Sequence, residues 1–116
     1  MDLMEAEIHE LLRSLGMTAN YKGYFYVASA LRMCLEDPDL LHLVTKALYP
    51  RVAREYGTTW KAVERNIRTA VSTVWKRAPA RLERLARCPL REKPSASQFL
   101  AILTAGLACG RAGVTD

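Results

Sequence analysis

Residues 49–68 read Tyr-Pro-Arg-Val-Ala-Arg-Glu-Tyr-Gly-Thr-Thr-Trp-Lys-Ala-Val-Glu-Arg-Asn-Ile-Arg, and their spacing is that of a helix-turn-helix. Ala53 is small where two helices must cross closely. Gly57, four residues on, supplies the positive φ that a tight turn requires, and Val63 packs the second helix back onto the first. A short helix is expected from Pro50 to Tyr56. A longer one, capped by Thr58-Thr59, should reach about Arg77, so that the motif spans 49–77. A purely structural pair of helices has a similar pattern, and the second helix separates the two readings by its faces. Val63, Ile67, Ala70, Val71 and Val74 share one side, whereas Lys61, Glu64, Arg65 and Arg68 share the other. Arginine can give two parallel hydrogen bonds to O6 and N7 of guanine, and glutamate can accept from the amino group of cytosine. Each good pair is worth about 1 to 3 kcal/mol of discrimination. Glu64 beside Arg65 therefore suits a C/G step. On an arbitrary helix such charges are ordinary solvated side chains; in a helix-turn-helix they stand where bases are read.

Upstream, Asp2 precedes Leu3, Ile8, Leu11, Leu12 and Leu15 at helical spacing. Glu5 lies three residues after the cap and Gly16 is placed to end a first amphipathic helix. Tyr24, Val27, Ala28, Leu31 and Leu35 form a second stripe. Asp37-Pro38 offers a cap with proline at the first helical position, which predicts a short third helix burying Leu40, Leu41, Val44 and Leu48. That helix should stop near Tyr49, because Pro50 disfavours helical geometry in the residue before it. Downstream, Pro79 allows a restart, Leu82 and Leu85 mark a short basic segment, and Pro89 and Pro94 frame a linker. Ser95 with Gln98 makes a capping box for a last helix through about Leu107. No strand or repeat pattern occurs. The expectation is an all-α fold, a single compact domain of about six helices over residues 1–109, with 110–116 a flexible tail.

The 116 residues fall in the range of one domain, and half are hydrophobic while a quarter are charged, the balance of an ordinary globular chain. No apolar run has the length of a membrane span, and the start lacks the pattern of a signal peptide, so a cytoplasmic protein is expected. Cys34, Cys88 and Cys109 have no Cys-x-x-Cys spacing, which argues against a disulfide framework or a zinc knuckle and leaves them as core or surface thiols. His9 and His42 stand alone on the surface or its boundary, so neither metal nor cofactor is expected. The carboxylates of the first helix have no nucleophile or phosphate loop beside them, which argues against an enzyme. The net charge of +5 is unevenly spread. Residues 1–45 hold three Lys/Arg against seven Asp/Glu, an excess of four acids, whereas residues 46–93 hold thirteen against four, an excess of nine bases. Such a segment suits a polyanion, with a basic membrane-surface helix as the competing reading.

Lys22-Gly23-Tyr24 with Tyr26, Leu48-Tyr49-Pro50, Gly57-Thr58-Thr59, Val63-Glu64-Arg65 with Ile67-Arg68, Trp75, and Lys93-Pro94 leading to Phe99 form one further pattern. It resembles the C-terminal DNA-binding effector domain of the stage-zero sporulation response regulator of endospore-forming Firmicutes, from about Glu7 through Leu107. The resemblance implies a six-helix domain that binds a short asymmetric box like TGTCGAA. Tandem boxes are often occupied by a head-to-tail homodimer, and binding activates or represses transcription through the polymerase sigma subunit. By position, Glu64 and Arg65 match the family's base-reading residues and Arg68 a nearby contact. Lys61 is a third base-reading candidate, since Ala62 stands where the family usually carries arginine. Arg54, Thr58, Thr59, Ser72 and Lys76 join Arg68 as expected DNA or phosphate contacts. Two departures remain. Residues 78–91 differ in sequence and length, in the region that meets the dimer partner and sigma. Nothing in residues 1–45 alternates strands and helices as the family's receiver does, so an excised effector domain or a receiverless relative is expected, mostly monomeric in solution and pairing on DNA.

Trp60, Trp75, Tyr21, Tyr24, Phe25, Tyr26, Tyr49 and Tyr56 could stack on bases, but most fall on helical stripes and are read as core. Lys76, Arg77, Arg81, Arg84, Arg87 and Arg91 suit phosphates, with simple solubility as the alternative. For the whole chain, the competing function is a helical protein-interaction module whose basic face docks an acidic partner.

Overall fold

The computed structural model describes residues 2–19 and 22–110. Tyr21 and the expected tail beyond Gly110 lie outside the described residues. Asp2 caps α1 (Leu3–Ser14), its Oδ1 accepting from the Glu5 amide at 2.8 Å, and Ile8, Leu11 and Leu12 face inward. The central helix is α2 (Lys22–Glu36), which packs on α1, α4 and α6 and buries Tyr24, Tyr26, Val27, Ala30, Leu31 and Cys34. Burial first, and the charge of Asp37 second, push the Cys34 thiol up to about 11, so it stays a protonated core group. Cys88 and Cys109 are exposed.

Between α2 and the helix-turn-helix the structure departs from the expected third α-helix. Asp37 does cap the segment, but Pro38–His42 is a 3-10 turn and Val44–Leu48 a π turn, with a non-helical break at Leu43 (φ −131°, ψ 42°). Leu40 and Leu48 are buried, as expected, whereas Leu41 and Val44 are only half-buried. The break re-aims the backbone so that both leucines reach the core while the chain enters the next helix without a loop. Pro50 does not end a helix either. It occupies the first turn of α3 (Tyr49–Tyr56), where no amide donor is required, and Tyr49 is already helical because its ring is buried.

The rest follows the sequence closely. Gly57 closes α3 in the left-handed region (φ 62°, ψ 39°), and the Thr58 amide returns to the Ala53 carbonyl at 2.9 Å. Thr59 caps α4 (Trp60–Arg77), its Oγ1 accepting from the Ala62 amide at 3.2 Å. Val63, Ile67, Ala70, Val71 and Val74 are all buried. Ala78 alone joins α4 to α5 (Pro79–Ala86), which buries Leu82 and Leu85 against α6 (Ala96–Ala108). Ser95 and Gln98 make the expected capping box at the start of α6. The fold is all-α, six helices around one core with no strand among the described residues. Two aromatic assignments need correction: Phe25 and Tyr56 are each 41% exposed and are not core. No helix among the described residues is long and apolar enough to cross a membrane.

Candidate nucleic-acid interface

The helix-turn-helix delivers α4 with one face sealed and the other open. Lys61, Arg65, Arg68, Ser72 and Lys76, three or four residues apart, form a single exposed stripe along the helix. Trp60, Lys61, Glu64, Arg65, Arg68, Thr69 and Ser72 line one shallow groove of about 440 Å³ on that face. All three expected base-reading residues are thereby brought together. The Lys61 ammonium lies 5.8 Å from the centroid of the Trp60 ring, a cation–π contact that sets the direction of its stem.

Glu64 sits at the edge of this stripe, its carboxylate 3.8 Å from the Arg68 guanidinium one turn on. Arg68 is 72% exposed and Glu64 only 29%, so the pair is loose and the arginine remains free to reach outward. Behind them lies Tyr49. Burial chiefly, and then the charge of Glu64, push its hydroxyl up to about 12 against the opposing effect of Arg68, so it stays neutral. Arg65 makes no ion pair among the described residues, which leaves the donors of its fork available. The other polar groups of α4 are already occupied: Asn66 donates to the Ala62 carbonyl, and Thr69 and Thr73 to the carbonyls four residues before them.

Thr58 is half-buried, Thr59 is exposed with its oxygen engaged in the cap, and Arg54 and Lys76 are exposed in the last turns of α3 and α4. Arg77 is turned away, donating to the Gly16 carbonyl at 2.9 Å, which fastens the end of α4 to the end of α1. The sequence reading of Arg77 as a phosphate candidate misses this contact, because the two residues are 61 positions apart. Periodicity likewise gives no sign of a second link, from the Lys93 ammonium to the Ser72 hydroxyl at 2.9 Å, which ties the loop before α6 to the open face of α4. Among the described residues no group of three or more His, Cys, Asp or Glu is arranged to hold a metal ion. The family model described as sporulation initiation factor Spo0A C terminal matches residues 8–107 of the chain.

Proposed function

Because the chain belongs to the C-terminal family of the sporulation initiation factor Spo0A, the DNA-binding effector domain of a sporulation transcription factor, we propose that it reads a short asymmetric box with α4 in the major groove. Arg65, Glu64 and Lys61 read base edges. Arg68, Thr58, Thr59, Ser72, Lys76 and Arg54 hold the sugar-phosphate backbone. The observation that carries the reading is Arg65, on the exposed stripe and with no ion pair among the described residues, backed by a sealed apolar face. A fork held on a rigid helix loses little freedom when it meets guanine. Thr59 supports the approach twice over. Its oxygen caps α4, its hydroxyl hydrogen is left for a phosphate, and the amides of the first turn favour an anion there.

Binding to tandem boxes brings two copies together head to tail, and the α5 region, residues 78–91, meets the sigma subunit to activate or repress transcription. Residues 1–109 act as the effector unit, in the cytoplasm at the nucleoid. The family is one of transcription factor domains and not of enzymes.

Fluorescence anisotropy at about physiological salt tests the reading, with a TGTCGAA-containing duplex against a scrambled duplex of the same composition. Preference for the box of about a hundredfold or more is expected, and Arg65→Ala should abolish it. Equal, weak binding of both duplexes by the native chain would reduce α4 to a basic surface and return weight to an acidic protein partner.

A further inference from the structure

The loop between α5 and α6 is held at four points. Arg87 adopts a left-handed conformation (φ 60°), and the Leu90 amide donates to Glu83 Oε2 at 2.7 Å. Pro94 is buried, and the Ser95 amide donates to Gln98 Oε1 at 2.9 Å. Just before the last two anchors the chain presents Lys93, exposed, with its ammonium on the Ser72 hydroxyl at 2.9 Å. A cation from outside the helix-turn-helix is thus delivered onto the open face of the helix that reads. No carboxylate of the described residues pairs with it, although Glu64 and Glu92 line the same groove. Serine is neutral, so the charge is undiminished, and only one of the three ammonium hydrogens is used.

Position along the helix decides what this cation can meet. From Arg65 to Ser72 the axial rise is about 10 Å, close to the major-groove width of about 12 Å. With Arg65 at the base edges, Lys93 stands at the groove wall, where phosphates run. We propose that Lys93 is a phosphate-docking residue: it clamps the DNA backbone beside α4, fixes the register of the recognition helix and reads no base. The proposal rests on α4 entering the major groove.

The test is a salt titration of binding to the box and scrambled duplexes by the native chain, Lys93→Met and Lys93→Arg. Methionine keeps the length and bulk of the stem without the charge. Lys93→Met should weaken both duplexes by about tenfold, leave their ratio unchanged, and lower the slope of log affinity against log salt by about one, with Lys93→Arg restoring both values. Ser72→Ala, which removes the tether and the serine's own proposed backbone contact but no charge, should weaken both duplexes and leave the salt slope near its native value. Because Lys93 is exposed, the melting temperature should not move, so a loss of binding cannot be assigned to unfolding. Native affinity and slope in Lys93→Met, or a changed ratio between duplexes, would overturn the proposal. Failure of the native chain to prefer the box would instead sink the proposed box reading, and a lowered slope in Lys93→Met would then still support a phosphate contact.

Discussion

Glu55 belongs to the helix-turn-helix by sequence, yet its carboxylate faces away from the groove toward α2. Its Oε1 accepts from the Ser29 hydroxyl at 2.7 Å and its Oε2 from the Arg32 guanidinium at 2.6 Å. The Tyr56 hydroxyl lies 2.8 Å from the same serine, so four side chains lock α3 onto α2. Burial opposes ionisation of Glu55, but the Ser29 and Arg32 hydrogen bonds and the arginine charge outweigh it and hold the carboxyl below its ordinary value of 4.5. The folded protein therefore releases this proton at lower pH than the unfolded chain does. The stabilisation is complete above the ordinary value and disappears as pH falls through the depressed one. Since both partners are about one-third exposed, the ion pair is worth up to about 1 kcal/mol. Glu55→Gln should unfold at lower urea than the native chain at pH 7, and the gap should narrow as the pH falls below the ordinary value of 4.5. A gap that persists unchanged in acid would show that shape, not charge, makes the contact. Neither Ser29 nor Arg32 is legible as a partner of Glu55 in the sequence, because they lie 26 and 23 positions away on another helix.

At the scale of elements, the turn of the helix-turn-helix is set by two residues with separable roles. A Cβ on Gly57 would meet nothing within 4 Å, so Gly57→Ala suffers only the strain of a left-handed backbone, about 1 kcal/mol, read as a lowered urea midpoint. Gly57→Asn, which tolerates that conformation better, should lose less. Thr59 separates folding from binding. Thr59→Ala forfeits the α4 cap, again about 1 kcal/mol, whereas Thr59→Asp keeps an acceptor for the Ala62 amide but sets a negative charge where the proposed reading brings a phosphate. The aspartate variant should melt like the native chain and bind both duplexes more weakly. If it binds as well as the native chain, the start of α4 does not face the backbone. These elements were legible because each carries a local device: Asp2, Gly57, Thr59 and the Ser95–Gln98 box all act within a few residues of themselves. The segment 37–48 was not. Leu40, Leu41, Val44 and Leu48 have helical spacing, and only tertiary packing decides that the backbone breaks at Leu43 and that Pro50 lies inside a helix. The same limit hid Lys93. The buried and exposed faces of α4 follow from its own periodicity, but a loop laid over that helix from beyond α5 does not.

On the scale of the molecule, charge and apolar surface bear on assembly in opposite directions. The basic excess of residues 46–93 makes two such faces repel at low salt, and phosphates between them would remove that repulsion. Apolar surface offers little compensation. The large hydrophobics exposed among the described residues are Leu3, Met4, Phe25, Leu43 and Tyr56. Phe25 and Tyr56 border a groove shared with Asp2, Glu5, Glu36 and Glu55, so even this patch is rimmed by carboxylates. A stable dimer needs burial of about 1,200 Å² or more with an apolar centre. The domain should therefore sediment as a monomer at about 10 μM in the absence of DNA, well within the regime where a stable dimer would persist. On a duplex with two boxes in tandem, a second copy should bind more tightly than the first, and moving the boxes half a helical turn apart should remove that advantage, since it places the copies on opposite sides of the DNA. Mass that rises with concentration without DNA would mean that the acidic groove or another surface pairs the chains by itself. Cooperativity insensitive to box spacing would mean that the copies are coupled through the DNA and not through contact with each other.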